Sequence, residues 1–188
     1  LGGPNGAGKS TAAPAILRDF LGIRTFVNAD VIARGLSGFA PDDPAIEAGR
    51  IMVARIRDLA ERRESFAFET TLAARSPASL LRGMTARGYR FELAFLWLPS
   101  ADLAVERVRQ RVAKGGHDVP EETIRRRYRL GLRNLVNLYV PIASRWRVLD
   151  GSDRMDLREI AKGESGRVAA VCDPVTWSAI TRGADAAD

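Results

Sequence analysis

The chain has 188 residues, 46% of them hydrophobic, and a formal net charge of +6. That length suits a single domain spanning residues 1–188 with room for a sizeable core, and no apolar run approaches the roughly 18 residues of a membrane helix. The single Cys172 excludes an internal disulfide framework and fits a cytoplasmic protein.

Helical and extended patterns then alternate along the chain. "KSTAAPAILRDFLG" reads as a helix ending near Gly22, with Pro14 awkward because it removes one helical hydrogen bond. "RTFVNAD" is a short β-rich run, and "VIARGL" after it is helical. "DDPAIEAGRIMVARIRDLAERR" carries a helical apolar stripe, with Asp43 as cap and Pro44 at its first position. "SFAFET" is a second strand, "SPASLLRGMTARG" a helix closed by Gly88, and "YRFELAFLWL" the most apolar strand. "SADLAVERVRQRVAKGG" is a helix capped by Ser100, and "PEETIRRRYRLGLRNLVNLYV" another, running from Pro120 to near Pro141. "WRVLD" is a further strand, "REIAKGE" and "RVAAVC" a hairpin, and "DPVTWSAITRG" a last helix before a frayed tail at 184–188. The alternation implies an α/β fold: a parallel sheet covered by helices on both faces, with ligands at the carboxyl ends of its strands.

The chemistry starts at the first residues. From Gly3 the chain reads G-P-N-G-A-G-K-S, the Walker A pattern. Glycines at 3, 6 and 8 free the backbone to turn its N–H groups around an anion, and the helix that follows aims its positive end the same way. Gly3, Pro4, Asn5, Gly6, Ala7, Gly8, Lys9, Ser10 and Thr11 are therefore expected to hold ATP. Lys9, read as an exposed loop cation, reaches the β and γ phosphates, and Ser10 binds Mg²⁺. Such a loop normally follows a strand directly, and the sequence starts at Leu1 rather than Met, so several residues are expected to precede it; no signal peptide is visible.

A phosphate loop alone does not choose among a GTPase, an ATPase motor and a kinase. N-K-x-D, the guanine signature, does not occur, and no strand shows four apolar residues ending in Asp. Small-molecule kinases fit better: they are short, with an arginine-rich lid and a carboxylate after the second strand. "GGPNGAGKST", "FVNAD", "FAFETT", "FLWL", the "GGHDVP" lid with "RRRYRLGLRNL" behind it, and "LDGS" occur in an order that resembles the zeta toxin family of P-loop kinases. The likeness extends from Gly2 to about Trp177. It implies a nucleotide-kinase-like fold with a lid at about 107–140, its first strand largely outside the sequence given. It also implies an antitoxin partner and transfer of the ATP γ-phosphate to a small-molecule hydroxyl. A UDP-activated amino sugar such as UDP-N-acetylglucosamine is the acceptor that the resemblance suggests. "GGHDVP" points to a branch whose acceptor differs.

The resemblance gives Asp30 as the base that takes the acceptor proton; by its position alone Asp30 serves equally as an N-cap for "VIARGL". Asn28 and Arg34 flank it and are candidate substrate contacts. Glu69 and Thr71, ending "FAFETT", are the acid and hydroxyl that the family uses to hold the acceptor, with Thr70 the competitor for Thr71. Charge on the transferring phosphoryl needs guanidinium groups, for which Arg111 and Arg126 are chosen, with Arg127 competing with Arg126. Arg125, Arg126 and Arg127 fan over about 200° of a helix and cannot all face one site. His117 is a turn residue or a gate, and Trp97, Trp146 and Trp177 are core residues.

The excess positive charge fits attraction to nucleotides, and it keeps open a nucleic-acid end kinase or RNA-binding ATPase. Aromatic residues make up only 7% and form no stripe interleaved with basic ones, which argues against nucleic acid as partner. A non-catalytic nucleotide-binding protein is the third possibility, but it has no use for Asp30 and Glu69 at strand ends.

Overall fold

In chain order the elements are α1 (Lys9–Ala13), continued as a π-helical segment at Pro14–Phe20, β1 (Thr25–Val27), α2 (Ala29–Gly35), α3 (Pro44–Glu61), β2 (Phe66–Phe68) and α4 (Ser76–Ala86). After them come β3 (Glu92–Trp97), α5 (Ala101–Val112), α6 (Glu121–Asn134), β4 (Arg145–Asp150), β5 (Arg158–Glu164), β6 (Arg167–Val171) and α7 (Pro174–Asp185). This computed structural model describes residues 1–36, 44–153 and 156–185. Asp43, the expected cap of α3, lies outside them. Two compact units make up the chain: Leu1–Lys9 with Thr70–Asp188, and Ser10–Glu69.

The larger unit is built on a four-stranded sheet in the order β3-β4-β5-β6. Strands β3 and β4 run parallel, Glu92 opposite Arg145 through Trp97 opposite Asp150. Strands β5 and β6 are antiparallel additions, so the sheet is mixed, with the expected hairpin forming its far edge. Ser165 and Gly166 turn that hairpin, both at positive φ, the two-residue geometry whose twist suits the flanking strands. The "ELAFLW" run becomes β3 because four successive residues, Leu93 to Leu96, are buried, as expected of a strand covered on both faces. Burying a side chain such as Phe95, 1% exposed, contributes roughly 2–3 kcal/mol. Beside β3, Leu1–Gly2 adds a short parallel stub: Gly2 N–H donates to Ala94 O at 2.7 Å and its carbonyl accepts from Leu96 N at 2.9 Å. On the other side of the stub, Thr70 N–H donates to Leu1 O at 3.0 Å. Trp146, buried, stacks with the half-buried Trp177 at a centroid distance of 5.4 Å, packing α7 against β4; Trp97 is half-buried too, so of the three expected core tryptophans only Trp146 is fully in the core. Ala184 is buried within α7, so the tail does not fray at 184.

The smaller unit pairs β1 and β2 in parallel, Thr25 opposite Phe66. Its buried side chains include Leu17, Val27, Ala48, Ile56, Leu59 and Phe68. The helix expected from Lys9 to Gly22 does form, but Pro14 changes its character: the π-helical segment begins at that residue. A proline inside an α-helix costs about 3 kcal/mol by removing a bond and crowding the turn before it. Widening the register at Pro14 avoids part of that cost, and Ile23 N–H closes the end on Leu17 O at 2.8 Å.

Candidate active site

Residues 3–9 of the phosphate loop belong to the larger unit. Gly3 leaves the stub with φ +145, and a Cβ there would lie 2.5 Å from Leu96 O. Gly6, at φ +78, is pressed on α5: a Cβ would meet Ala104 O and the Arg107 Cβ, each at 2.9 Å. Only glycine satisfies both the torsion and the approach at these two points. Lys9 is not the exposed cation expected from sequence. It is 6% exposed, and its ammonium folds back to donate to Gly3 O at 2.8 Å and Pro4 O at 2.9 Å. The Ala7 N–H also turns inward, to Pro4 O at 3.3 Å. Both donors therefore face the inside of the loop, where an anion could take over from the two carbonyls.

Helix α5 supplies Arg107 and Arg111. Arg107 is 9% exposed, and its guanidinium donates to Gly151 O at 2.7 Å, Ser152 O at 2.5 Å and Gly6 O at 3.5 Å. Arg111 donates to His117 O at 2.6 Å, while its buried Nε has no partner among the described residues. His117 is exposed and takes part through its main chain, as a turn residue would. On α6, Arg125 pairs with Asp102 at 2.6 Å and Glu121 at 2.8 Å, and Arg109 reaches Glu121 at 2.6 Å. The Arg125 hydrogen bond holds the Glu121 carboxyl below its usual range. Arg125 is thus committed to carboxylates, whereas Arg126 is exposed and Arg127 half-buried.

Thr71 opens a strained turn in the same unit. Leu72, fully buried, has φ +58, a conformation that costs a non-glycine residue about 1 kcal/mol or more. Helix α6 and the π-helical segment after it, Leu135–Tyr139, impose it. Asn134 donates to Leu72 O at 2.7 Å and Ala73 O at 3.1 Å, and the Tyr139 hydroxyl donates to Ala74 O at 2.8 Å. Burial pushes that phenol up to about 12. A Cβ on Gly131 would lie 2.6 Å from Thr71 O. Thr70 Oγ1 accepts from Leu72 N at 3.1 Å, and Thr71 Oγ1 from Ala73 N at 3.5 Å.

The smaller unit gathers Ser10, Asn28, Asp30 and Glu69. Glu69 Oε2 accepts two hydrogen bonds, from the Ser10 hydroxyl at 2.8 Å and from the Asn28 amide at 2.8 Å. Asn28 is 6% exposed and works at both ends: its Oδ1 accepts from Asp30 N at 2.8 Å and Val31 N at 3.3 Å. The N-cap of α2 is therefore Asn28, and Asp30 sits in the helix's first turn with its side chain exposed. The Arg34 side chain lies outside the described residues. Oxygen donors at Ser10 and Glu69 suit a hard divalent ion such as Mg²⁺, which takes few protein ligands and completes its shell with phosphate oxygens and water. Sequence reasoning missed the double role of Asn28 and the main-chain partners of Arg107. A signal for the second existed, since Arg107 falls on the apolar stripe of α5 with the buried Ala104 and Val108.

Comparison with known proteins adds three likenesses. An uncharacterized protein of Haemophilus influenzae is 27% identical over 128 residues, 67% of this chain and 88% of its own length. The AvrRxo1-ORF1:AvrRxo1-ORF2 complex, crystallised with sulphate ions, matches at TM-score 0.73 and 17% identity over 96% of this chain; the same complex with ATP gives 0.74 and 16%. This chain spans 62% of the length of that matched chain. The PezAT chromosomal toxin–antitoxin system of Streptococcus pneumoniae matches at TM-score 0.61 and 16% identity, over 100% of this chain and 83% of that one. At such identities the likeness shows the fold, and at that level it bears out the resemblance to the zeta toxin family and the α/β P-loop architecture. The profile of the AAA domain matches residues 1–129, more than half of the sequence, and the chain belongs to that family of P-loop proteins.

Proposed function

We propose that the chain works as one zeta-toxin-like kinase domain, moving the γ-phosphate of ATP to a hydroxyl of a small molecule in the cytoplasm. The observation that carries the reading is the two-donor grip on Glu69 by Ser10, the residue after the Walker lysine, and by Asn28, which also caps the helix that starts with Asp30. A protein that only binds nucleotide has no need of this arrangement. In the proposed reaction Gly3 to Thr11 bind ATP, and Lys9 meets the β and γ phosphates in place of the Gly3 and Pro4 carbonyls. Ser10 and Glu69 hold Mg²⁺, which offsets phosphate charge. Asp30 orients the acceptor hydroxyl and takes its proton as the oxygen–phosphorus bond forms and ADP leaves. Asn28, Arg34, Glu69 and Thr71 contact the acceptor. Arg111 and Arg126 stabilise charge on the transferring group. The candidate acceptor is a UDP-activated amino sugar such as UDP-N-acetylglucosamine, and the likeness to two-component complexes supports an antitoxin partner. No described helix is long and apolar enough to cross a membrane.

The test is incubation with ATP, Mg²⁺ and a pool of UDP-sugars and nucleotides, with mass spectrometry to find the compound that gains a phosphate. A phosphorylated UDP-sugar supports the full reading. A phosphorylated nucleotide keeps the kinase and replaces the acceptor. ATP consumption only on addition of RNA or DNA ends overturns the small-molecule reading.

A further inference from the structure

We propose that Arg107 is a positioning residue for nucleotide binding, a clamp that ties the phosphate loop to the turn at 150–152 through main-chain oxygens. The inference rests on the nucleotide-binding reading above and goes beyond it, because no role was assigned to Arg107.

Its guanidinium donates to carbonyls of both the loop and the turn. Nη1 donates to Gly151 O at 2.7 Å and more weakly to Gly6 O at 3.5 Å, and Nη2 donates to Ser152 O at 2.5 Å. A buried guanidinium engaged on carbonyls forms charge-assisted bonds, roughly twice as strong as neutral ones. The Gly6 carbonyl and the Ala7 N–H share one peptide plane and point in opposite directions. Holding the carbonyl on Arg107 therefore keeps the Ala7 N–H aimed inward, where it now meets Pro4 O at 3.3 Å.

Close packing fixes the same arrangement. A Cβ at Gly6 would meet the Arg107 Cβ at 2.9 Å, and one at Gly151 would meet Ala7 O at 3.1 Å and Trp97 O at 3.0 Å. The 150–152 turn is itself anchored. Gly151 N–H donates to Trp97 O at 2.8 Å, and Ser152 N–H to Asp150 Oδ1 at 2.8 Å. Without the clamp the loop keeps its glycines but loses the reference against which its N–H groups are aimed.

The experiment titrates the intact protein with the fluorescent analogues mant-ATP and mant-ADP in Mg²⁺, at a temperature well below each variant's unfolding midpoint. Arg107→Met and Arg107→Lys are compared with Tyr128→Phe, which removes a hydroxyl bonded to Leu98 O at 2.7 Å elsewhere in the same unit. The clamp acts on the whole loop, so both Arg107 variants are expected to weaken mant-ATP and mant-ADP alike, by about tenfold or more. Tyr128→Phe is expected to lower the midpoint with affinity unchanged. Arg107 variants that bind like wild type, with only the midpoint lowered, overturn the proposal and leave a structural brace. A loss confined to mant-ATP also overturns it, since that marks a direct γ-phosphate contact. If Arg107→Met does not fold, Arg107→Lys decides by the same criteria. Wild-type protein that binds neither analogue overturns the nucleotide reading, and the clamp falls with it.

Discussion

The phosphate loop and the Glu69 cluster solve different problems with different materials. The loop is main chain: glycines at 3 and 6, the inward Ala7 N–H, and the Gly3 and Pro4 carbonyls that hold Lys9. The Glu69 cluster is side chain: a hydroxyl and an amide, both donating to one carboxylate oxygen. A cradle made of backbone is indifferent to what lies beyond the phosphates. A site made of side chains takes its selectivity from them. Residues of the first kind are expected to fail abruptly when changed, and those of the second by degrees.

The largest effect tests the first half of that contrast. Lys9→Met keeps the stem and removes the charge; phosphoryl transfer is expected to fall by about a thousandfold, the scale of a lost electrostatic donor. Product formed per enzyme measures it, and turnover within a tenth of wild type argues against the loop as the ATP site. Asp30→Asn comes next, with turnover falling by about a hundredfold or more as expected for loss of a general base, and mant-ATP affinity kept. Because Asn28 is the cap, the stability change stays under about 1 kcal/mol, the value of a first-turn charge. If stability falls and turnover survives, the base lies elsewhere.

Among the arginines, at least one of Arg111→Met and Arg126→Met is expected to lower turnover about a hundredfold, with ATP affinity changed far less. Arg125→Met is the control: its ion pairs are solvent-screened, and turnover is expected to stay at wild type. If all three behave alike, the run is a solvated face. Asn28→Ala sharpens the comparison most, with the smallest effect. It removes a cap worth about 1 kcal/mol. It also frees Glu69 from one donor, so acceptor KM is expected to rise by about tenfold. A stability loss with KM unchanged makes Asn28 a cap and nothing more.

The sequence was legible where function depends on spacing. Glycine register marks the loop, alternation marks the sheet, and the spacing places Asp30 and Glu69 just after β1 and β2. It was less legible where one side chain has several possible partners. An asparagine before a helix reads as a cap or as a ligand contact, and nothing in the string shows that Asn28 caps while also donating to Glu69. Lys9 looked exposed because loops usually are, yet its own loop folds over it. The apolar stripe of α5 marks Arg107 as buried, but the carbonyls it binds leave no mark on sequence. Pro14 predicted a disturbance, but not that the helix would widen instead of breaking.

The turn at 71–74 cannot be exchanged as a free-standing cassette. Its left-handed Leu72 is held from outside, by the Asn134 amide, the Tyr139 hydroxyl and the missing side chain at Gly131. An exposed glycine in a helix ordinarily gains up to about 1 kcal/mol on change to alanine. Here the added methyl would strike Thr71 O, so Gly131→Ala is expected to disturb acceptor handling even where the helix gains. Grafting another chain's 71–74 onto this scaffold is therefore a transplant with three sutures: positions 131, 134 and 139 must travel with it, and a graft that works without them shows that the turn keeps its shape alone.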